Sequence, residues 1–271
     1  MNAKRPRALV LSVPLLISAL SAQEFHPERQ QPVKLVAPKV AVEAIQRPPD
    51  ASTGATRELR LRTQAGESSV ILPFQFAQVN SISLGPEGKL VVLGMVTGSV
   101  SEVGIVEIGK ARIIDRFNCY RPAVSPGGGY VAFTKWFPPH FVESVEDHVM
   151  LYEVARSPAE NRPAGIEPGN DIDVGFALYP AGAGNWKMDN QNVPQDLAHM
   201  SASDYFWRDS SHFLFADTVS EEFQVVWVTL ANGLADVRSF TIPPAELGPK
   251  SNSTPWLADV KFGEEMAKLT I

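Results

Sequence analysis

The side chains best equipped for chemistry are five histidines, one cysteine and a scatter of carboxylates, and their spacing argues against most catalytic designs. His26, His140, His148, His199 and His212 form no HExxH and no other close pair, so a zinc site of that kind is not encoded. No GxSxG elbow occurs, and no phosphate-binding loop or dinucleotide glycine fingerprint is present. Cys119 is the single cysteine, which rules out an internal disulfide. It lies in the apolar stretch 117–120 and reads as a small buried hydrophobe, since a nucleophilic role needs a thiolate-stabilising neighbour. Asp171 and Asp173, beside Gly175 and followed by Asp189, have a spacing with which loop carboxylates can hold Ca²⁺; the competing reading is a solvated turn. No cofactor is implied.

Aromatic residues on irregular chain are the more site-like feature. Trp136, Phe137, His140, Tyr179, Trp186 and Trp207 lie on or beside two segments, the Pro138-Pro139 break and the stretch 156–201, rich in proline and glycine. Binding groups concentrate on loops held by a rigid scaffold, and aromatic anchors dominate interfaces. The plainer alternative is that these rings cover the faces of sheets.

The scaffold is legible from one stretch, RPAVSPGGGYVAF, Arg121 to Phe133. Tyr120, Pro122 and Val124 alternate with Arg121, Ala123 and Ser125, the period of a half-buried strand. Pro126 with Gly127, Gly128 and Gly129 is turn chemistry, and Tyr130 to Phe133 restarts as a strand. The layout recurs at Ser83–Leu93, with Pro86 and Gly88 in the turn, and again at Phe206–Phe215. A period of about 40 residues with several strands per unit is that of propeller blades.

The stretch resembles the WD40-like propeller repeat of TolB-type periplasmic proteins, a pattern of the form x-P-x-W-S-P-D-G-x-x-I-A-F. Pro122, Ser125, Pro126, Gly128, Val131, Ala132 and Phe133 match it, while Val124 and Gly127 stand where the family has Trp and Asp. The third copy keeps Trp207, Asp209 and Phe215 and loses the proline. The resemblance implies an all-β, β-propeller-like fold and a periplasmic setting, and it implies no particular activity, because propellers host many.

Taken in order, the chain opens with a targeting segment over 1–22. Lys4, Arg5 and Arg7 precede an apolar run from Ala8 to Leu20, and small residues follow for cleavage after Ser21 or Ala22. That run is short for a membrane span. Residues 23–56 read as an extended or disordered lead-in, and 57–271 as one propeller-like domain with a long insertion at 156–201. Strands are expected near 58–62, 69–76, 80–84, 89–96, 104–108, 111–117, 148–154, 205–207, 212–217, 223–230 and 236–242, with two more after Trp256. The lone hairpin at 58–76 and the last two strands are expected to pair in a shared closing blade, which gives four or five blades and removes open edges.

The chain carries 24 basic and 30 acidic residues; without the first 22 residues the balance is 21 against 30, a net charge of −9. That excludes nucleic acid and anionic membrane surfaces as expected partners. The reading is a periplasmic or secreted binding or scaffold module. It has no evident catalysis and no integral membrane span after signal cleavage, and its partner is another envelope protein or a cell-envelope component. The alternative is an accessory domain of, or a divergent form of, a propeller associated with an envelope hydrolase or peptidase.

Overall fold

A computed structural model describes residues 33–47, 57–72, 78–98, 100–137, 146–162, 164–165, 174–182, 185–189, 200–201, 203–219, 222–231, 234–245, 247, 256–263 and 267–271. The first sheet holds β1 (Lys34–Ala37), β2 (Val40–Gln46), β3 (Arg57–Thr63) and β4 (Gly66–Leu72), paired in that order. Period-two patterning forms it: Leu59 and Leu61 are buried while Arg60 and Arg62 point to solvent. An eight-stranded sheet follows, with β5 (Gln78–Leu84), β6 (Lys89–Thr97), β7 (Val100–Glu107), β8 (Arg112–Val124), β9 (Tyr130–Phe137), β10 (Glu146–Glu153), β11 (Phe176–Gly182) and β12 (Asn185–Asp189) in unbroken succession. The next sheet contains β13 (Met200–Ser201), β14 (Phe206–Trp207), β15 (His212–Val219), β16 (Glu222–Ala231) and β17 (Leu234–Thr241). A hairpin of β18 (Asp259–Phe262) and β19 (Ala267–Thr270) comes last.

The eight-stranded sheet is two blades joined by one strand. Phe117 on β8 stacks on Tyr152 of β10 at 5.3 Å, although β9 lies between them in the ladder. In a flat sheet strands two apart are separated by about 10 Å, so the sheet folds back on itself along β8. The register slips between Tyr120 and Ala123, where Arg121 adopts φ +51°. Before this bend β8 is the last strand of the β5–β8 blade; after it, β8 is the first strand of the β9–β12 blade.

Four apolar layers separate five sheets in chain order. Val42, Leu59 and Leu61 pack against Leu90 and Val92. Val103, Ile105 and Phe117 pack against Val131, Phe133 and Tyr152. Ala132, Val149 and Leu178 pack against Tyr205, Phe213, Phe215 and Val226. Leu214, Phe223 and Val225 pack against Leu257, Phe262 and Leu269. This sequential face-to-face stacking makes the fold all-β and propeller-like, with four blades and a two-stranded fifth. β16 is apolar on both faces because it is covered from both sides. A parallel bridge between Ser203 and Leu257 joins neighbouring units.

The recurring turn is the same device three times. The N–H of Gly85, Ser125 and Arg208 donates to the carbonyl of Lys89, Tyr130 and His212, each at 2.9 Å. In the second copy the Ser125 hydroxyl also accepts the Tyr130 N–H at 3.0 Å. Gly128 sits at φ +67°, and a β-carbon there would run into the Leu84 carbonyl and Gly85. Only glycine lets the second turn lie directly on the first.

Three expectations are corrected. Residues 34–37 and 40–46, expected in the lead-in, form β1 and β2 of the first sheet. The stretch 156–201 contains β11 and β12, which complete the third blade, so it is not simply a long insertion loop. The shared closing blade is not formed: β3 and β4 pair with each other and with β2, while β18 and β19 pair only with each other among the described residues. Leu269 packs in the layer beside Leu214, and Leu59 in the layer beside Leu90. No helix among the described residues is long and apolar enough to cross a membrane.

Candidate functional site

The register of the third blade gathers four of the aromatic candidates at one end. Trp136 lies opposite Asp147 and Phe137 opposite Glu146 at the end of β9. Pro180 lies opposite Trp186 and Tyr179 opposite Lys187 across β11 and β12, with a bulge after Pro180. Within the same sheet, β10 carries Asp147 on one side and pairs with β11 on the other. Basic, acidic and aromatic positions are therefore interleaved across four adjacent strands. His140, Asp171 and Asp173 lie outside the described residues, and Asp189 is on β12 opposite Ala177. Among the described residues no group of three or more His, Cys, Asp or Glu side chains could hold a metal ion.

Polar groups are buried at that same end, within the layer between the second and third blades. Lys135 lies opposite His148, and both are nearly inaccessible. The Lys135 ammonium donates to the Asn118 carbonyl at 3.1 Å. Glu102, on the face of β7 opposite Val103 and Ile105, is also buried and meets the Arg116 guanidinium at 3.4 Å. Cys119 shares this neighbourhood. Burial pushes its thiol well above the ordinary range; Lys135 pulls it back and Glu102 adds to the rise. The thiol is held protonated, as a small hydrophobe in the core.

Trp207 is at the opposite end of the blade. It stacks on Tyr130 at 6.5 Å and packs tilted against Phe213 at 4.6 Å, and its indole N–H donates to the Ala123 carbonyl at 3.0 Å. Tyr130 opens β9 and Phe137 closes it, so the strand's length separates Trp207 from the Trp136 end. Trp207 ties the third blade to the fourth.

The residues most firmly held were not among the candidates. Arg162 is fully buried and makes a bidentate pair with Asp115, both contacts at 2.6 Å. The Tyr152 hydroxyl donates to the same carboxylate at 2.9 Å, and its own titration is pushed upward by burial and by Asp115. Asn161 accepts the Glu153 N–H and donates to the Glu153 carbonyl, both at 2.9 Å. Lys89 reaches across from the second blade and donates to the carbonyls of Val154, Ala155 and Arg156 at 2.8, 2.9 and 3.4 Å. Arg156 in turn pairs with Glu153 at 2.6 Å and lies over the Phe176 ring at 4.6 Å. Segment 154–162 is thus clamped onto two blades. One local signal was readable: Ser157-Pro158-Ala159-Glu160 is a capping box, and Glu160 accepts both the Ser157 N–H and its hydroxyl.

No protein-family model matches the chain, and no curated protein sequence matches it. Solved structures similar to it include the hydrazine synthase of Kuenenia stuttgartiensis, at 11% identity and TM-score 0.30, covering 70% of this chain and 49% of that one. Hsv2 of Kluyveromyces lactis is similar at 10% identity and TM-score 0.34, covering 77% and 60%. The uncharacterized protein lmo1340 of Listeria monocytogenes EGD-e is similar at 9% identity and TM-score 0.28, covering 78% and 65%. The chain spans about half to two thirds of the length of these structures.

Proposed function

We propose that this chain is a TolB-like propeller module of the bacterial envelope, exported by its N-terminal segment, that binds another envelope protein or a cell-envelope component. The binding surface is the Trp136 end of the third blade. The observation that carries this reading is the gathering of Trp136, Phe137, Tyr179 and Trp186 at one end of one sheet, from strands up to 50 residues apart in sequence. Aromatic groups gathered on a rigid sheet are the usual material of binding hot spots. The acidic balance of the chain directs it towards protein or neutral envelope components rather than anionic surfaces.

The test is in-cell cross-linking of the tagged, exported chain. The wild type is compared with a Trp136→Ala/Trp186→Ala double variant and with Arg62→Ala, a change on the first sheet. A single cross-linked species is expected for wild type and Arg62→Ala, reduced at least tenfold in the double variant, whose circular dichroism and melting temperature should match wild type. Identical cross-linking in all three proteins, or none in any, sinks the binding surface. Fractionation with N-terminal sequencing addresses export separately: the mature chain should begin at Ala22 or Gln23, and an intact cytoplasmic chain overturns the envelope assignment.

A further inference from the structure

The layer between the fourth blade and the last hairpin is built differently from the others. Register places Leu214, Trp227 and Arg238 in one row across β15, β16 and β17, and Ala216, Val225 and Phe240 in the next row on the same face. This face is four strands wide, and β18 and β19 are only two. The hairpin lays Phe262 and Leu269 over part of it, with Phe262 edge-on to Trp227 at 6.2 Å. What it leaves is a cavity of 410 Å³ floored by Leu214 and Val225, walled by Trp227, Phe262 and Leu269, and bordered by Phe240, Arg208 and Arg238. Phe240 is 56% exposed, an unusual state for a phenyl ring beside a buried floor.

The charge at this cavity runs against that of the chain. Two guanidinium groups line it in a protein of net charge −6. Arg238 contacts Asp236 at 3.3 Å, but both side chains are well exposed. Such a surface pair is worth at most about 1 kcal/mol and yields readily to a competing anion. A guanidinium fork suits carboxylate, sulfonate or phosphate oxygens. The volume falls within the range of small-molecule sites, roughly 300–1,000 Å³, whose walls are mostly apolar with a few polar groups to fix orientation.

We propose that this cleft binds a small amphipathic anion, with an alkyl or aromatic body against Trp227, Phe240 and Phe262 and an acidic head at Arg208 and Arg238. A free fatty acid and an anionic lipid share this chemistry. The proposal is independent of the Trp136 surface, which lies on a different blade.

Calorimetric titration of the folded chain with dodecanoate, below its micelle concentration, tests it. Sedimentation with phosphatidylglycerol vesicles runs beside it. Saturable one-to-one binding of dodecanoate is expected, with at least tenfold loss of affinity in Arg208→Ala/Arg238→Ala. Ala267→Trp, which fills the cleft from β19, should abolish binding at an unchanged melting temperature. Binding of dodecanoate without co-sedimentation identifies a soluble ligand; co-sedimentation lost in the double-arginine variant identifies a lipid. Failure of both probes to bind overturns the proposal. So does equal affinity in wild type and the double-arginine variant when both are shown to be folded.

Discussion

The layer between the second and third blades and the layer between the fourth blade and the last hairpin solve the same packing problem to different degrees. In the first, Phe117, Phe133 and Tyr152 are almost fully buried, and the chain beyond β10 is locked by a buried ion pair and by Lys89. In the second, five buried apolar residues are surrounded by half-buried ones, and a cavity remains open. The difference follows from strand number. Four strands against four leave no uncovered row, whereas two strands against four leave one side of the face to be filled by something else. Closed layers supply stability, and the unclosed layer is where a ligand has room to sit.

The contrast is broken most severely at the ion pair. Asp115→Ala leaves the Arg162 charge buried without its carboxylate and should cost about 3–5 kcal/mol, read from denaturant unfolding. A comparison of truncations sharpens it. Phe117→Ala in the closed layer should lose about 3 kcal/mol or more, and Phe262→Ala in the open layer less than about 1.5 kcal/mol; equal losses would mean that the two layers are equally packed. Gly128→Ala, which pushes the second turn off the first, should cost more than about 1 kcal/mol and lower the melting temperature.

The smallest effect is expected at Asp209 in the third turn. Burial opposes its ionisation, but the Ser211 N–H at 2.9 Å and the His212 ring at 2.8 Å prevail and hold the carboxyl at about 2, below its ordinary 3.8. A depressed carboxylate stabilises the fold above its unfolded value, and that contribution is lost as pH falls from about 4 towards 2. Asp209→Asn should therefore lower stability modestly at neutral pH and flatten the acid limb between those limits, so that variant and wild type converge towards pH 2.

Where a strand has one buried face, its alternation shows in the sequence, and β3, β5 and β17 were readable on that ground, as was the turn that recurs before β6, β9 and β15. β11 was not, because Phe176, Ala177 and Leu178 are all buried and the period disappears, while Pro180 and Gly182 imitate a loop. β2 is short, and although Val40, Val42 and Ala44 alternate inward, its alanines weaken the contrast. Of the candidate site, residue types were legible and their convergence was not. Nothing local says that Trp136 and Trp186 fall at the same end of one sheet, nor that Asp115 meets Arg162 across 47 positions. Both depend on how the blades stack.

The thirteen-residue strand β8 serves two blades, bent at Arg121 but continuous in the backbone. In repeat proteins built from separable units, one unit can fray while its neighbour persists. Here the last strand of one blade is the first of the next, so the hydrogen bonds of β7 and those of β9 share a backbone. Amide protons from β5 to β11 should exchange with solvent together, through a single opening event, and later than those of the terminal hairpin. The second and third blades should therefore melt as a pair.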